Sequence, residues 1–343
     1  MDETGKKAVV IHPDAEITPL IEEAAAYCPT KCISLTKALG QAIAHDLSHQ
    51  QLTKIFESGE TGEPLDEILA TVTLIQPSFN TAVLRQIHYD VTRLFAGTYP
   101  GFRISTTQYH NLQHTCSVVL ATARLLHGLT CSGRDISTHV LELALYSAYF
   151  HDTGLLTKTS DTAISGAVYT ENHEERSITL MKQYFAGNTP SNFLTRECSS
   201  VIECTNLALD PREIFFPSDA SKLAGYVLGS ADILAQIADR YYLERLPLLF
   251  QELKDGGLET HDSAIDLIQK TTVFYDIITE RLEKTFSNTA QAMRAHFHQR
   301  WQINDNLYYT NIEKNITYLK KVLSLCDDKL ETLHTFLKRI PPP

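Results

Sequence analysis

The chain is short of the features that mark secreted, membrane-spanning and nucleic-acid-gripping proteins. It has 7 cysteines in 343 residues, an odd number without paired spacing. That rules out a fully paired disulfide framework and fits reduced thiols. "CPTKC", Cys28 to Cys32, could form half of a zinc site, but no second cysteine pair completes it. The longest apolar runs, such as "AVVI" and "LELALYSAYF", fall well short of the ~20 residues that a membrane-spanning helix needs. The first residues, "MDETGKKAVVIHPD", lack the apolar core of a signal peptide. A cytoplasmic location is expected. Positive charge is also scarce: 30 Lys and Arg face 41 Asp and Glu, for a formal net charge of −11. Without a basic stripe, neither a nucleic-acid polymer nor a membrane is an expected partner. An acidic protein still handles a small anion if metal ions supply positive charge locally.

Strand signals are few. "KKAVVIH" is the sole candidate, and the rest reads as helix. The expected fold is all-α, a helical bundle preceded by an N-terminal helical extension. "ESGETGEP", residues 57 to 64, is polar, holds two glycines and ends in proline, so it is a loop. Residues 1 to 75 are grouped as the extension, a regulatory or dimerising element that makes a homodimer one expected assembly. Residues 76 to 340 form the main domain. A helix is expected from Tyr109 to Leu126, and a strongly apolar one from Ser137 to Phe150, ending at "HDTG". Another begins near Asn172, where Glu175 three residues on fits a capping box. Further helices are expected over 193 to 208 and 219 to 246, with Pro247 interrupting the second.

Two stretches carry chemistry. "TTQYHNLQHT" places His110 and His114 four residues apart, which on a helix puts their Cβ atoms about 5–6 Å from each other. "HD" occurs three times. His45-Asp46 and His261-Asp262 sit among polar residues and read as surface, whereas His151-Asp152 closes the apolar "LALYSAYF". Burying two polar groups there costs free energy unless something satisfies them, and a metal ion does so. Asp232 repeats the pattern, an acid among Leu228, Ile233 and Leu234, preceded by the small residues Gly229, Ser230 and Ala231. Asp239 lies two turns on, and a salt bridge with Arg240 or Arg245 accounts for it.

This ordered set resembles the HD-domain superfamily of metal-dependent phosphohydrolases, and within it is most similar to the catalytic domains of cyclic-nucleotide phosphodiesterases. "YHNLQH", "FHD", "ENH" (171 to 173), "IECTN" (202 to 206) and "SAD" (230 to 232) carry the resemblance in that family's order. Asn206 stands where the family has aspartate. The resemblance implies that His114, His151, Asp152 and Asp232 bind a first metal and that Asp152 bridges to a second. The two divalent ions would be Zn, Fe, Mn or Mg. It further implies that a hydroxide held between them attacks phosphorus while His110 acts as general acid. Tyr109, Asn111, Glu171, Asn172, Thr205 and Asn206 would line the substrate or support the metals.

Where the family has a further histidine, four residues after that of "HD", this chain has Leu155. His173 is then the candidate for an additional ligand, the alternative being a cap at its helix start. The family's base-holding glutamine has no clear counterpart; Gln299 and Gln302 qualify by composition alone. Phe297 and Trp301 read first as core aromatics and second as a base-stacking surface. The leading expectation is hydrolysis of a phosphodiester in a small nucleotide, such as a 3′,5′-cyclic nucleotide. The alternatives are a nucleotide phosphatase or triphosphohydrolase, and a non-catalytic regulatory module that binds a nucleotide.

Overall fold

A computed structural model of the chain describes residues 49–59, 63–187, 192–325 and 337. "KKAVVIH", Cys28, Cys32 and His45-Asp46 lie outside the described residues, as does the extension up to residue 48. The fold is all-α. Its helices are α1 (His49–Ser58), α2 (Pro64–Ile75), α3 (Thr81–Phe95), α4 (Leu112–Cys131), α5 (Thr138–Phe150), α6 (His173–Gly187), α7 (Asn192–Glu203), α8 (Asp219–Ile237), α9 (Tyr242–Asp255), α10 (Ala264–Glu280), α11 (Ala292–Trp301) and α12 (Leu307–Leu325). Among the described residues there is no strand, only the isolated bridges Ala96–Ile104 and Phe102–Lys158.

Helix α4 is the axis of the core. Val118, Val119, Ala121, Ala123, Leu125 and Leu126 are all fully buried, so apolar residues occupy every side of it rather than one stripe. Burying each of the larger ones contributes roughly 1.5–3 kcal/mol. Helices α2, α5, α8 and α11 pack around α4, and α7 packs on α5 and α8. Residues 49 to 75 are part of this packing. Ile68 and Val72 of α2 are fully buried, and the buried Arg124 on α4 donates to the carbonyls of Ile55 (2.6 Å) and Phe56 (2.7 Å) at the end of α1.

Glu67, fully buried on α2, meets Arg300 of α11 at 2.9 Å. Removing one member of a buried pair leaves an uncompensated charge. Glu67→Ala is therefore expected to lose about 3–5 kcal/mol in a denaturant titration; a loss below ~1 kcal/mol, the range of exposed pairs, would mean the pair is not buried in solution.

Helix ends differ from the sequence expectation at several places: α4 runs Leu112–Cys131 rather than 109 to 126, and α7 stops at Glu203 rather than 208. The chain breaks after Ile237, not at Pro247, which sits inside α9. Asn315 of α12 donates to the carbonyls of Ile237 and Asp239, both at 2.8 Å, and Asp239 Oδ1 accepts the Tyr241 N–H at 2.8 Å. Those bonds satisfy the freed helix-end carbonyls and stabilise the turn.

Candidate metal centre

Helix α4 starts later than the spacing of its histidines suggests. Asn111 is the N-cap, its Oδ1 accepting the His114 N–H at 3.0 Å. His110 therefore lies in the turn ahead of the helix, where Thr107 Oγ1 donates to its carbonyl at 2.7 Å. The two imidazoles still lie side by side, with ring centroids 5.9 Å apart.

His151 and Asp152 follow the last residue of α5 and are 1% and 3% exposed. The short 3-10 turn after them, Thr153–Leu155, is fixed from α6. Ser177 Oγ donates to the His151 carbonyl (2.6 Å) and accepts the Gly154 N–H (2.8 Å). Arg176 donates to the carbonyls of Gly154 (2.7 Å) and Leu156 (3.1 Å). Glycine is required at 154, because a Cβ there would fall 1.9 Å from the His173 carbonyl oxygen. Leu155 is buried in this turn, and the polar support comes from α6. On α8, Gly229 admits close packing: a Cβ would meet Phe286 at 2.4 Å and the Cys204 carbonyl at 2.8 Å.

These elements bring four side chains to one point. His114 Nε2 lies 3.4 Å from Asp152 Oδ2 and 3.2 Å from Asp232 Oδ1. His151 Nε2 lies 3.3 Å and 3.6 Å from the same two oxygens. The other Asp152 oxygen, Oδ1, faces His173 Nε2 at 3.6 Å. His151 Nδ1 is tied to the Ala148 carbonyl (2.8 Å) and His173 Nδ1 to the Thr170 carbonyl (2.7 Å). Both rings donate from Nδ1, so both Nε2 atoms are free to act as ligands. His173 is thus at once the first residue of α6 and a contributor to the cluster.

The residues fit a divalent metal. Charge-assisted N–H···O bonds run about 2.7–2.9 Å, and these contacts are longer. Tetrahedral ligands at ~2.0–2.2 Å from one cation lie about 3.3–3.6 Å from each other, close to the spacings seen. Asp152 Oδ2 and His151 Nε2 are buried without a hydrogen-bond partner, a costly state that a cation relieves. The ligand atoms of His114, His151 and Asp152 all fall within 4.8 Å of one another. Asp232 Oδ1 supplies a fourth donor. Asp152 turns one oxygen toward this set and the other toward His173.

The charges of the cluster follow from its packing. Without a cation, burial opposes ionisation of His151, but Asp152 and Asp232 outweigh it and raise its pKa well above the usual value; a bound cation would take the place of that Nε2 proton. Burial also works against the Asp152 and Asp232 carboxylates, and the surrounding imidazoles keep both well below the usual range. His110 is held from outside the cluster. Its Nδ1 pairs with Glu252 on α9, whose other oxygen accepts the Tyr109 N–H at 3.2 Å. Burial pulls the His110 pKa down, but Glu252 and then Asp152 leave it at about 9. Sequence reading misses Glu252, which is 142 residues away. The available signal is its place seven residues after Arg245, on the buried stripe of α9.

The remaining candidates fall outside this cluster. Asn111 is a cap. Glu171 and Asn172 are exposed at the end of a 3-10 turn, Gly166–Asn172. Glu174 instead approaches His173, with Oε2 3.3 Å from its Nδ1. Thr205 Oγ1 donates to the Ile202 carbonyl (2.8 Å) and Asn206 Oδ1 accepts the Ala208 N–H (2.8 Å), both local bonds. Tyr109 is buried with its hydroxyl unpartnered. Phe297 is fully buried against Trp301 and Tyr308, so it serves the core. His261, half-buried, has its Nδ1 3.4 Å from Asp266 Oδ2 and lies outside the cluster. No protein-family model matches the chain, and comparison with curated proteins and with solved structures returns no match either.

Proposed function

We propose that the chain is a metal-dependent phosphohydrolase of the HD-domain type, which cleaves a phosphodiester in a small nucleotide, with a 3′,5′-cyclic nucleotide the first substrate to test. The supporting observation is that His114 and His151 each face one oxygen of Asp152 and one of Asp232, while His173 approaches the other oxygen of Asp152. His114, His151, Asp152 and Asp232 would hold one divalent ion, and Asp152 with His173 a second. Bound there, the ions would supply Lewis-acid stabilisation of phosphoryl charge and an acidified water. Zn, Fe and Mn suit the nitrogen-rich position, with Mg admissible at the more oxygen-rich one.

His110 supports the diesterase reading. Glu252 engages its Nδ1, which leaves Nε2 as the nitrogen able to reach a substrate. A protonated His110 gives that proton to the departing ester oxygen, because expelling an alkoxide benefits from a positioned acid. Glu252 keeps the ring charged and oriented until the transfer. Asp232 and the histidines of the cluster hold charge and position, and transfer no proton.

The pH dependence has a definite sign. His110 works when protonated, so turnover falls as pH rises through its pKa. Glu252→Gln removes the carboxylate that does most to raise that pKa, so the basic limb of the rate profile is expected at lower pH than in the unmodified chain. An unchanged limb would remove His110 from the acid role. The function itself is tested by a hydrolysis panel on metal-loaded protein: cyclic AMP, cyclic GMP, cyclic dinucleotides, nucleoside mono- and triphosphates and a chromogenic bis-ester. Turnover of diesters alone supports the proposal. Turnover of monophosphates or triphosphates alone would make it a phosphatase or triphosphohydrolase. Failure with every substrate and metal would leave a nucleotide-binding module.

A further inference from the structure

His114 raises a question that its metal-facing side does not answer. With Nε2 turned to Asp152 and Asp232, Nδ1 points to the far side of the ring. A metal-bound histidine carries its proton on the other nitrogen and normally gives it to a carboxylate, carbonyl or water, which fixes the ring. His151 and His173 do this with backbone carbonyls. Among the described residues, no protein group accepts from His114 Nδ1 within hydrogen-bond distance.

His114 lines a small chamber of about 10 Å³ together with Tyr109, Ser117, Asp239, Tyr242 and Arg245, among others. That is the size of one water molecule, and a buried water needs two to four polar partners. The chamber offers them. Tyr109, 4% exposed, lines it and carries a buried hydroxyl without a hydrogen-bond partner. Asp239 lines the same space and is held rigidly, its Oδ2 2.7 Å from Arg245 Nη1 and its Oδ1 accepting the Tyr241 N–H. Arg245 is anchored in turn by Gln113 Oε1 at 2.6 Å. An ionised carboxylate has about four lone-pair sites, so two contacts leave Asp239 capacity for more. The break between α8 and α9 places it there.

We infer that Asp239 and Tyr109 are positioning residues for His114: one water in the chamber accepts the His114 Nδ1–H and bonds onward to the Asp239 carboxylate and the Tyr109 hydroxyl. The salt bridge with Arg245 then holds Asp239 in place as well as neutralising it. The inference rests on the metal-binding reading above. It adds to that reading a carboxylate–water–histidine–metal relay that links Asp239, in the break after α8, to the cation position beside Asp232.

The test uses Asp239→Asn, which keeps one oxygen for the Tyr241 N–H but gives up the charge facing Arg245, and Tyr109→Phe, which removes one hydroxyl. Affinity for Mn²⁺ and Zn²⁺ is measured by chelator competition, with no substrate present. Each variant is expected to weaken binding about 10–100-fold; for Tyr109→Phe, which breaks no ion pair, the metal-free melting temperature stays close to that of the unmodified chain. A purely structural Asp239 would lower the melting temperature of its variant and leave the affinity unchanged. In the Zn-loaded protein with ¹⁵N-labelled histidine, the His114 ring N–H resonance is expected to shift or broaden in both variants. Unchanged affinity and an unchanged resonance in both would overturn the inference and leave the metal reading intact. Absence of metal binding in the unmodified chain would overturn the metal reading and this inference with it.

Discussion

His110→Gln is expected to retain the metal and lose turnover by about 10²- to 10⁴-fold, the usual contribution of a positioned general acid. The expectation follows from where the ring is tied. His110 Nδ1 is engaged by Glu252, and its ring centroid lies 5.9 Å from that of His114 and 6.2 Å from that of His173. It borders the cluster without adding a donor to the set around Asp152 Oδ2. Glutamine preserves a hydrogen bond to Glu252 but cannot give up a proton. A variant that lost its metal along with its activity would place His110 among the ligands and withdraw the general-acid role. A substrate with a strongly acidic leaving group, such as the chromogenic bis-ester, needs less protonation, so the loss on it is expected to be smaller than on a nucleotide. Equal losses on both would also count against proton donation.

Asp152→Ala is expected to empty the centre. Its two oxygens are approached by three different imidazoles, Oδ2 by His114 and His151 and Oδ1 by His173. Losing it removes the one group common to both cation positions. The affinity loss should exceed the ~10–100-fold typical of removing an outer partner, so elemental analysis after dialysis is expected to find background metal and no turnover. Asp152→Asn serves as the control for folding, since it preserves the side chain's volume in a fully packed turn. If Asp152→Ala retained normal occupancy, the bridging role would be refuted, and the cluster would be a set of buried ion pairs.

The centre was legible in the sequence for a physical reason. His151, Asp152 and Asp232 are polar groups inside apolar stretches, and such groups need partners. Helix α4 was legible from its apolar residues, though its start was not. Asn111, read from the sequence only as a substrate- or metal-supporting residue, is also the helix cap, accepting the His114 N–H. The His110–Glu252 pair was hidden because nothing local links residues 142 apart. The α8–α9 break was misplaced for a related reason. Pro247 is the visible signal, whereas the turn is set by Asn315, which reaches the Ile237 carbonyl from 78 residues away. Glu171 and Asn172 were picked by motif, yet the acid that approaches His173 is Glu174, at the first turn of α6. Motifs locate chemistry along the chain; packing decides which neighbour delivers it.

The central claim is that these side chains hold a cation pair. It is tested most directly by anomalous diffraction from crystals of the Mn-loaded protein. The account predicts one peak among His114, His151, Asp152 and Asp232, and a second on the His173 side of Asp152. Crystals with Mn at other positions and none at this cluster would contradict it.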